Sequence, residues 1–527
     1  MPSPPSSTER SESIWKRTAA PAQRWPALTT DAECDVCVVG AGIAGLSVAY
    51  EVARRGRTVL VLDDRGVGAG ESAQTTAHLA SALDDRFIEI ERIHGAAGAR
   101  LAWASHHAAI ERIEAVCVLE GIDCDLRRVD GYLVLAGRWT PEMLDEELVA
   151  ARRAGFHEAE RLDRLALDGV RFDGPCLRFP RQGQFHPLRY LEGLTRAIER
   201  DGGRIHVGTH ASDFEVGPVI RVRTAGGAVV RCRHLVVATN SPVNDRYAIH
   251  TKQAPFRTFV VALRVPKGAV PTALFWDTRE PYHYVRTQPW DESSDALLVG
   301  GEDHKTGWEN DAPERYRRLE LWARAHFPSA GERLLAWSGQ VFEPADGMGF
   351  IGRNPADRDN VYVVTGDSGQ GMTHGTIAGM LIPDLIDGLE PAYATLYDPS
   401  RRSLRAVGEY ARINAAVAAR FTDWLRRGDA KSIDEIAPGT GAVVTRGLSK
   451  IAVYRDEAGQ LSACSAVCTH LGCIVHWNGE ERSWDCPCHG SRFATDGRVL
   501  NGPALGDLER VELPGERPGG EAPAPPK

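Results

Sequence analysis

The 527-residue chain has no run of about 18 apolar residues, so no membrane-spanning helix is expected. It also has no basic stripe. Its 62 Lys and Arg stand against 71 Asp and Glu, a net charge of −9, which argues against nucleic acid or anionic lipid as a partner. Residues 1–30 are rich in Pro, Ser and Thr but lack an apolar h-region and a twin arginine, so a cytoplasmic location is expected. Of 11 cysteines, six are scattered and five lie near the C-terminus, which is no secreted disulfide framework. Cys34 and Cys37 sit in or beside an expected strand, where residues three apart face opposite sides, and read as small core residues. His206 and His210, also expected on a strand, would be roughly 13 Å apart and could not hold one metal. His106-His107 reads as a solvated helix face. No Ser-His-Asp arrangement and no second nucleotide fingerprint stand out. With 43% hydrophobic and 25% charged residues, the chain reads as an ordinary globular protein of two to four domains.

What is present near the C-terminus is a pair of short boxes. Cys468-Thr-His-Leu-Gly-Cys473 and Cys486-Pro-Cys-His-Gly-Ser491 supply two thiolates and two imidazoles as Cys-x-His and Cys-x-x-His. A Rieske [2Fe–2S] centre uses that set, two Cys on one iron and two His on the other. This nominates Cys468, His470, Cys486 and His489 as metal ligands. Structural zinc sites favour Cys-x2–4-Cys or His-x3–5-His pairs, and Cys-x-His suits them poorly. Gly472 and Gly490 permit the tight backbone that wraps a cluster. Over roughly the last hundred residues, an ordinary domain size, the chain resembles the Rieske proteins of cytochrome bc complexes. The resemblance implies a Cys473–Cys488 disulfide clamping the two loops and a hydrogen bond from Ser491 to a cluster sulfide. Phe493 stands where that family has a tyrosine hydroxyl. Donors to the sulfurs raise the potential, so a value below the bc-complex end of the roughly −150 to +300 mV Rieske range is expected.

A second pattern lies near the N-terminus. An expected strand at residues 35–39 runs into Gly40-Ala-Gly42-Ile-Ala44-Gly45, then a helix to about Arg55, then a strand at 58–62 that ends on Asp63 and Asp64. This is a βαβ dinucleotide fingerprint in its required context. Glycines admit the pyrophosphate, the helix N-terminus faces it, and an acid about 20 residues on takes the ribose hydroxyls. Asp63 is the expected ribose ligand, with Asp64 as the neighbouring choice. Two later segments join it, the strand end at Thr239 and Asn240, and residues 365–374 with Gly366, Gly369, Gly371, Met372, Thr373 and His374. The helix expected to start near Met372 would point its positive end at a ring that gains negative charge on reduction.

In this order the three segments resemble the D-amino-acid oxidase-like (DAO) family of FAD-dependent amine and amino-acid oxidoreductases. The resemblance implies an α/β, Rossmann-like FAD domain interrupted by an α+β substrate domain whose antiparallel sheet roofs the flavin. A small all-β Rieske domain then follows. It also puts Ser72, Thr75 and Thr76 near the pyrophosphate or ring. Some members attach FAD covalently to a histidine at about this point; His78 is expected instead to pack or hydrogen-bond beside the ring. The candidates for catalysis are His374, in the flavin motif, and Lys305 and Tyr282, with Tyr284 as a further aromatic wall on the substrate sheet. The expected layout is a flexible tail (1–33), the flavoenzyme (34–427), a linker (428–440), the Rieske domain (441–515) and a second flexible tail (516–527). Within the flavoenzyme, FAD-binding parts are expected at 34–84, 183–245 and 346–395, and substrate-binding parts at 85–182 and 246–345. The expected function is a dehydrogenase for an amine or amino acid, with FAD as first electron acceptor. Electrons would leave singly through the cluster to an external protein or carrier. An O2-using oxidase, or a reductase feeding a partner oxygenase, is the alternative.

Overall fold

The computed structural model describes residues 11–19, 25–244, 249–355 and 357–513. The chain divides into two compact units, Ser11–Ala416 and a second starting at Val417.

The first unit is built on two sheets. One runs in the order Phe350–Arg353, Val361–Thr365, Val229–Val237, Ala32–Val39, Val59–Leu62, Arg204–His206. Neighbours along this order are parallel except the first pair, and two further strands, Ile220–Thr224 and Ala211–Glu215, add on antiparallel beside Val229–Val237. Its inner strands are near-continuous apolar runs because both faces are covered: Val36, Val38, Val59 and Val61 pack into one core, Cys37, Val39, Leu60 and Leu62 into another. Cys37 is fully buried and Cys34 half-buried, as small strand residues should be.

The second sheet has nine strands, with Arg333–Pro344, Gln253–Pro266, Ser294–Lys305 and Tyr284–Pro289 adjacent and antiparallel. Side chains alternate between its faces with the period of two that a strand dictates. Phe259, Val261 and Leu263 meet the helix Ala312–His326, whereas Val260, Ala262, Leu298 and Trp337 face the main core. His78–Leu79 pairs with the strand Cys176–Gln184, so the loop after the fingerprint is tied into this sheet.

Several expectations shift. Residues 1–33 are not simply a tail. Ile14–Thr18 is helical with Ile14 and Trp15 fully buried, and the Trp25 indole donates to Glu199 at 2.9 Å. Each buried tryptophan removes about 150–250 Å² from water, enough to dock a Pro/Ser-rich segment. Residues 1–10 and 20–24 lie outside the described residues, as does all of the expected C-terminal tail. The strand expected to carry both His206 and His210 ends at His206, because Gly208 turns the chain at φ 61°. The two imidazoles take different partners, Pro26 O at 3.1 Å and the Asp64 carboxylate at 3.9 Å.

The second unit is all-β. Three antiparallel strands, Thr440–Arg446, Ser449–Arg455 and Leu461–Ser465, accompany a four-stranded antiparallel sheet from His476–Asn478 to Val499–Asn501. Trp484 and Phe493 are its fully buried centre. The expected linker belongs to this unit. Asp429 N–H donates to Val443 O at 2.7 Å and Gly428 N–H to Thr445 Oγ1 at 2.9 Å. Earlier still, Asp423 meets His476 Nε2 at 3.2 Å. No helix among the described residues is long and apolar enough to cross a membrane.

Candidate functional site: a flavin cleft and a cluster-binding loop pair

The nucleotide end is set by close main-chain packing. Gly40 has φ 109°, and a Cβ there would lie 2.3 Å from Ala238 O; one on Gly45 would lie 1.9 Å from Gly40 O. Only glycine fits either place. Gly42 is the N-cap of the helix Ile43–Arg54 and makes no side-chain cap bond. Asp63 Oδ2 accepts from Ala41 N–H at 2.8 Å, and Oδ1 from Arg65 and Gly66 N–H at 2.9 and 2.8 Å. The expected ribose ligand therefore also braces the glycine loop, and burial then neighbouring Asp64 raise its pKa. A carboxylate has about four acceptor positions, so one remains for a hydroxyl. Ser72 Oγ accepts from Ile43 N–H at 3.0 Å, joining the next loop to the helix start.

Residues 75–78 are held by a side chain that the sequence did not single out. Arg286, fully buried, donates to Thr76 O, Ala77 O and Phe185 O at 3.2, 3.0 and 3.1 Å, and lies 5.3 Å over the Trp15 ring. Burial lowers its pKa to about 9. Thr75 Oγ1 accepts from Ala77 N–H at 2.9 Å. His78 places Nδ1 at 3.0 Å from Thr76 Oγ1 and Nε2 at 3.3 Å from Val285 O, so both ring nitrogens have partners within the chain. Burial, then Arg286, lowers its pKa to about 3, so the ring is neutral.

The last motif turns at Gly366, Ser368 and Gly369, all with positive φ, before the helix Gly371–Ile386, which begins without a side-chain cap. That leaves the helix N-terminal N–H groups for another acceptor. Gly375 and Gly379 press this helix against the fingerprint helix, with would-be Cβ atoms 3.0 Å from Ala44 N and 2.7 Å from Ser47 Cβ. Thr373 Oγ1 meets His106 Nδ1 at 2.8 Å. His106 is buried, with its pKa lowered to about 3 by burial, so the expected solvated face is corrected. Its neighbours Ala102, Ala109 and Ile110 are buried too, three or four residues away on one helix stripe. His374 is also buried, turned toward Gly349 and 6.2 Å from the Tyr397 ring. Lys305 lies 5.1 Å over Trp308 at the end of its strand.

Facing the motif is the sheet. Tyr282 and Tyr284 rings are 5.5 Å apart, and His78 meets Tyr284 edge-on at 5.8 Å. Gly300 makes room for Tyr284, since a Cβ there would lie 2.1 Å from the ring. Tyr284 Oη is 2.5 Å from Thr258 Oγ1, and Tyr282 donates to Asp84 Oδ2 at 3.1 Å. That Asp84 oxygen would be 2.8 Å from a Cβ on Gly369, so the tyrosines and the flavin motif share one cleft. Ser368 donates to Asp85 Oδ2 at 2.7 Å. Burial raises Asp84 to about 6 and Asp85 to about 7.

Buried polar atoms are almost always paired. Here Gln74 Oε1, Asn240 Nδ2, Ser241 Oγ, Asp367 Oδ1 and Gln370 Oε1 are buried without a partner. They fall on the three parts expected to hold FAD, a mixed set of donors and acceptors that fits a long polar cofactor. Thr239 Oγ1 instead donates to Ser241 O at 2.6 Å, shaping the strand end beside Asn240.

In the second unit each box is closed by its own main chain. Cys468 N–H donates to Cys473 O at 2.8 Å and Cys486 N–H to Ser491 O at 2.8 Å. Gly472 and Gly490 take φ 77° and 79° at the bends. Cys473 and Cys488 form the expected disulfide. These two sulfurs cluster with Cys486, but a disulfide cannot ligate as thiolate, which leaves Cys486 and Cys468 for metal. Cys468 shares a hydrogen bond with Cys486. Against burial, the N–H groups of His470 and Leu471 and the Ser491 hydroxyl further help to bring Cys468 down to about 7, while the partner thiol moves the other way. The His470 and His489 rings are 5.0 Å apart. Two thiols in hydrogen-bond contact and two neighbouring imidazoles, with donors aimed at the Cys468 sulfur, make a donor set whose chemistry fits a [2Fe–2S] cluster.

Comparison with known proteins agrees. Residues 35–385 match the FAD dependent oxidoreductase family, DAO, and residues 426–512 the Rieske [2Fe-2S] domain. The Rieske 2Fe-2S iron-sulfur protein YhfW of Bacillus subtilis is 32% identical over 510 residues, 96% of this chain and 98% of that protein. The gamma-glutamylputrescine oxidoreductase of Escherichia coli is 27% identical over 391 residues, 72% of this chain and 90% of that protein. The glycine oxidase structure from Geobacillus kaustophilus aligns with a TM-score of 0.60 at 19% identity, over 70% of this chain and 99% of that one. The chain belongs to the DAO family of FAD-dependent oxidoreductases and carries a C-terminal Rieske [2Fe-2S] domain.

Proposed function

We propose that the protein is a dehydrogenase for an amine or amino acid and that its electrons leave one at a time through the Rieske domain to an external acceptor. The observation that carries this reading is one chain holding both a flavin cleft and a clamped Cys2His2 loop pair. Bound FAD would supply the hydride acceptor and a bound cluster the one-electron carrier.

The chain's own groups account for the rest. Ammonium ions cannot release hydride, so the substrate nitrogen must first lose a proton. Asp84 Oδ2, in the cleft at the tyrosine hydroxyl, is the base that takes it, with a pKa of about 6 suited to neutral pH. Tyr282 and Tyr284 wall the neutral amine so that its α C–H faces the cofactor. Loss of hydride leaves an iminium ion, which water converts to a carbonyl compound and ammonia or a smaller amine. His374, behind the motif, positions the helix N-terminus rather than touching substrate, and Lys305 stays outside the chemistry.

The test is anaerobic turnover with a one-electron dye. Cys486→Ser should leave substrate-driven flavin bleaching intact and abolish dye reduction through the cluster. If that variant reduces dye at the wild-type rate, the relay is wrong. Peroxide released at the full turnover rate in air, without any acceptor, would show an oxidase instead.

A further inference from the structure

The cleft is rich in acids that no sequence motif marks. Asp84 and Asp85 flank the last flavin motif. Asp303 hydrogen-bonds Thr258, the same threonine that meets Tyr284, and its Oδ1 is buried with no partner. Glu343 lies within electrostatic reach of Asp303 and Asp85. Burial raises all four, Asp303 to about 7 and Glu343 well above its ordinary value. Asp85 and Glu343 also line a cavity of about 400 Å³ beside Ala254, Phe256 and Ile413.

The cations around it are engaged elsewhere. Arg86, which faces Asp84 and Asp85, donates to Asp84 O and Asp277 O at 3.0 and 3.1 Å. At the cavity wall Arg92 pairs with Glu89, and Arg405 donates to Arg92 O at 2.9 Å. Arg412 pairs with Glu409. The cations that act on these two acids, Arg86 on Asp85 and Arg412 on Glu343, thus have their guanidinium hydrogen bonds directed to other groups. Desolvated carboxylates in a group repel one another and any further anion, and are relieved by a cation that enters among them. The carboxylate of an α-amino acid would be repelled here, whereas a second ammonium group would be held.

Resting on the amine-dehydrogenase reading above, we propose that the substrate is a di- or polyamine. The nitrogen to be oxidised sits among Asp84, Tyr282 and Tyr284, and a distal ammonium group reaches Asp85 and Glu343.

The test uses the full-length protein reconstituted with FAD, titrated anaerobically while flavin absorbance is followed. The probes are 1,4-diaminobutane, spermidine, butylamine, glycine and L-proline. A well-placed charge pair at a partly dry site should let diaminobutane half-saturate at least about tenfold below butylamine. In Glu343→Gln and in Asp85→Asn, each checked for unchanged FAD content, that ratio should fall to within about threefold. If glycine or proline bleaches the flavin better than the diamines, the inference is overturned while the oxidoreductase reading stands. A diamine preference unchanged in both variants overturns the assigned recognition site. Bleaching by none of the probes overturns the amine reading together with the inference.

Discussion

Ser491 offers the sharpest test of how the second unit is tuned. Its side chain is fully buried, its Oγ accepts from Ala504 N–H at 3.1 Å, and its own proton points at Cys468. Replacing it with alanine removes a hydrogen bond to a sulfur that becomes more negative on reduction. A bond to a charged group is worth about 1.5–3 kcal/mol. If all of it formed only in the reduced state, the one-electron potential would fall by up to about 130 mV, since about 1.4 kcal/mol corresponds to 59 mV. If half is already present in the oxidised state, the fall is about 30–60 mV. Ser491→Ala is therefore expected to lower the potential by about 30–130 mV, read by an EPR-monitored redox titration. Leaving Ala504 N–H unsatisfied costs about 1–3 kcal/mol of stability, so cluster content must be checked first. Phe493→Tyr adds a donor and should move the potential the other way. A fully loaded Ser491→Ala protein whose potential shifts by less than about 20 mV, or rises, would refute the reasoning.

Two further substitutions probe the flavin unit. Arg286→Met should leave the carbonyls of Thr76, Ala77 and Phe185 unsatisfied, costing at least about 3 kcal/mol in urea unfolding and weakening FAD binding; unchanged FAD affinity would sink its role as the brace of that loop. Arg401→Ala strands the fully buried Asp346, which Arg401 meets twice at 2.8 Å, and should cost about 3–5 kcal/mol at neutral pH. Burial pushes Asp346 up, but the Arg401 charge and hydrogen bonds more than offset this and hold its pKa below the ordinary 3.8. The stability it contributes is thus present above that value and is lost as pH falls through the depressed pKa. The Tm gap between wild type and Arg401→Ala should therefore narrow in acid, and a gap that widens there would contradict the pairing.

Both cofactors were legible in the sequence where chemistry and spacing are local. The fingerprint needs only a strand, a glycine turn and a helix, all within about thirty residues. The Cys/His boxes need two short loops. The acids of the cleft were not legible, because Asp84, Asp303 and Glu343 meet only after the second sheet pairs strands far apart in the chain. Arg286 is likewise an ordinary strand residue until residues 76–77 arrive over it. His106 could have been found. The apolar stripe Ala102, Ala109, Ile110, Ile113 includes it at helical spacing, and that period outweighs the polarity of a His-His pair.

The boundary between the units follows from the same physics. Motifs alone put a linker at 428–440, where Gly and Pro thin out the pattern. Yet loop composition does not report where the backbone's hydrogen bonds go, and here they go into the Rieske sheet. Upstream, the Trp424 indole donates to Gly472 O at 3.0 Å, directly on the loop that carries Cys473. Asp423, buried between His476 and Arg426, anchors the same stretch. A segment with a buried charge and an indole bond to a cluster-binding loop cannot act as a free tether without breaking both. The Rieske unit therefore takes in the residues ahead of the expected linker, from Val417 onward.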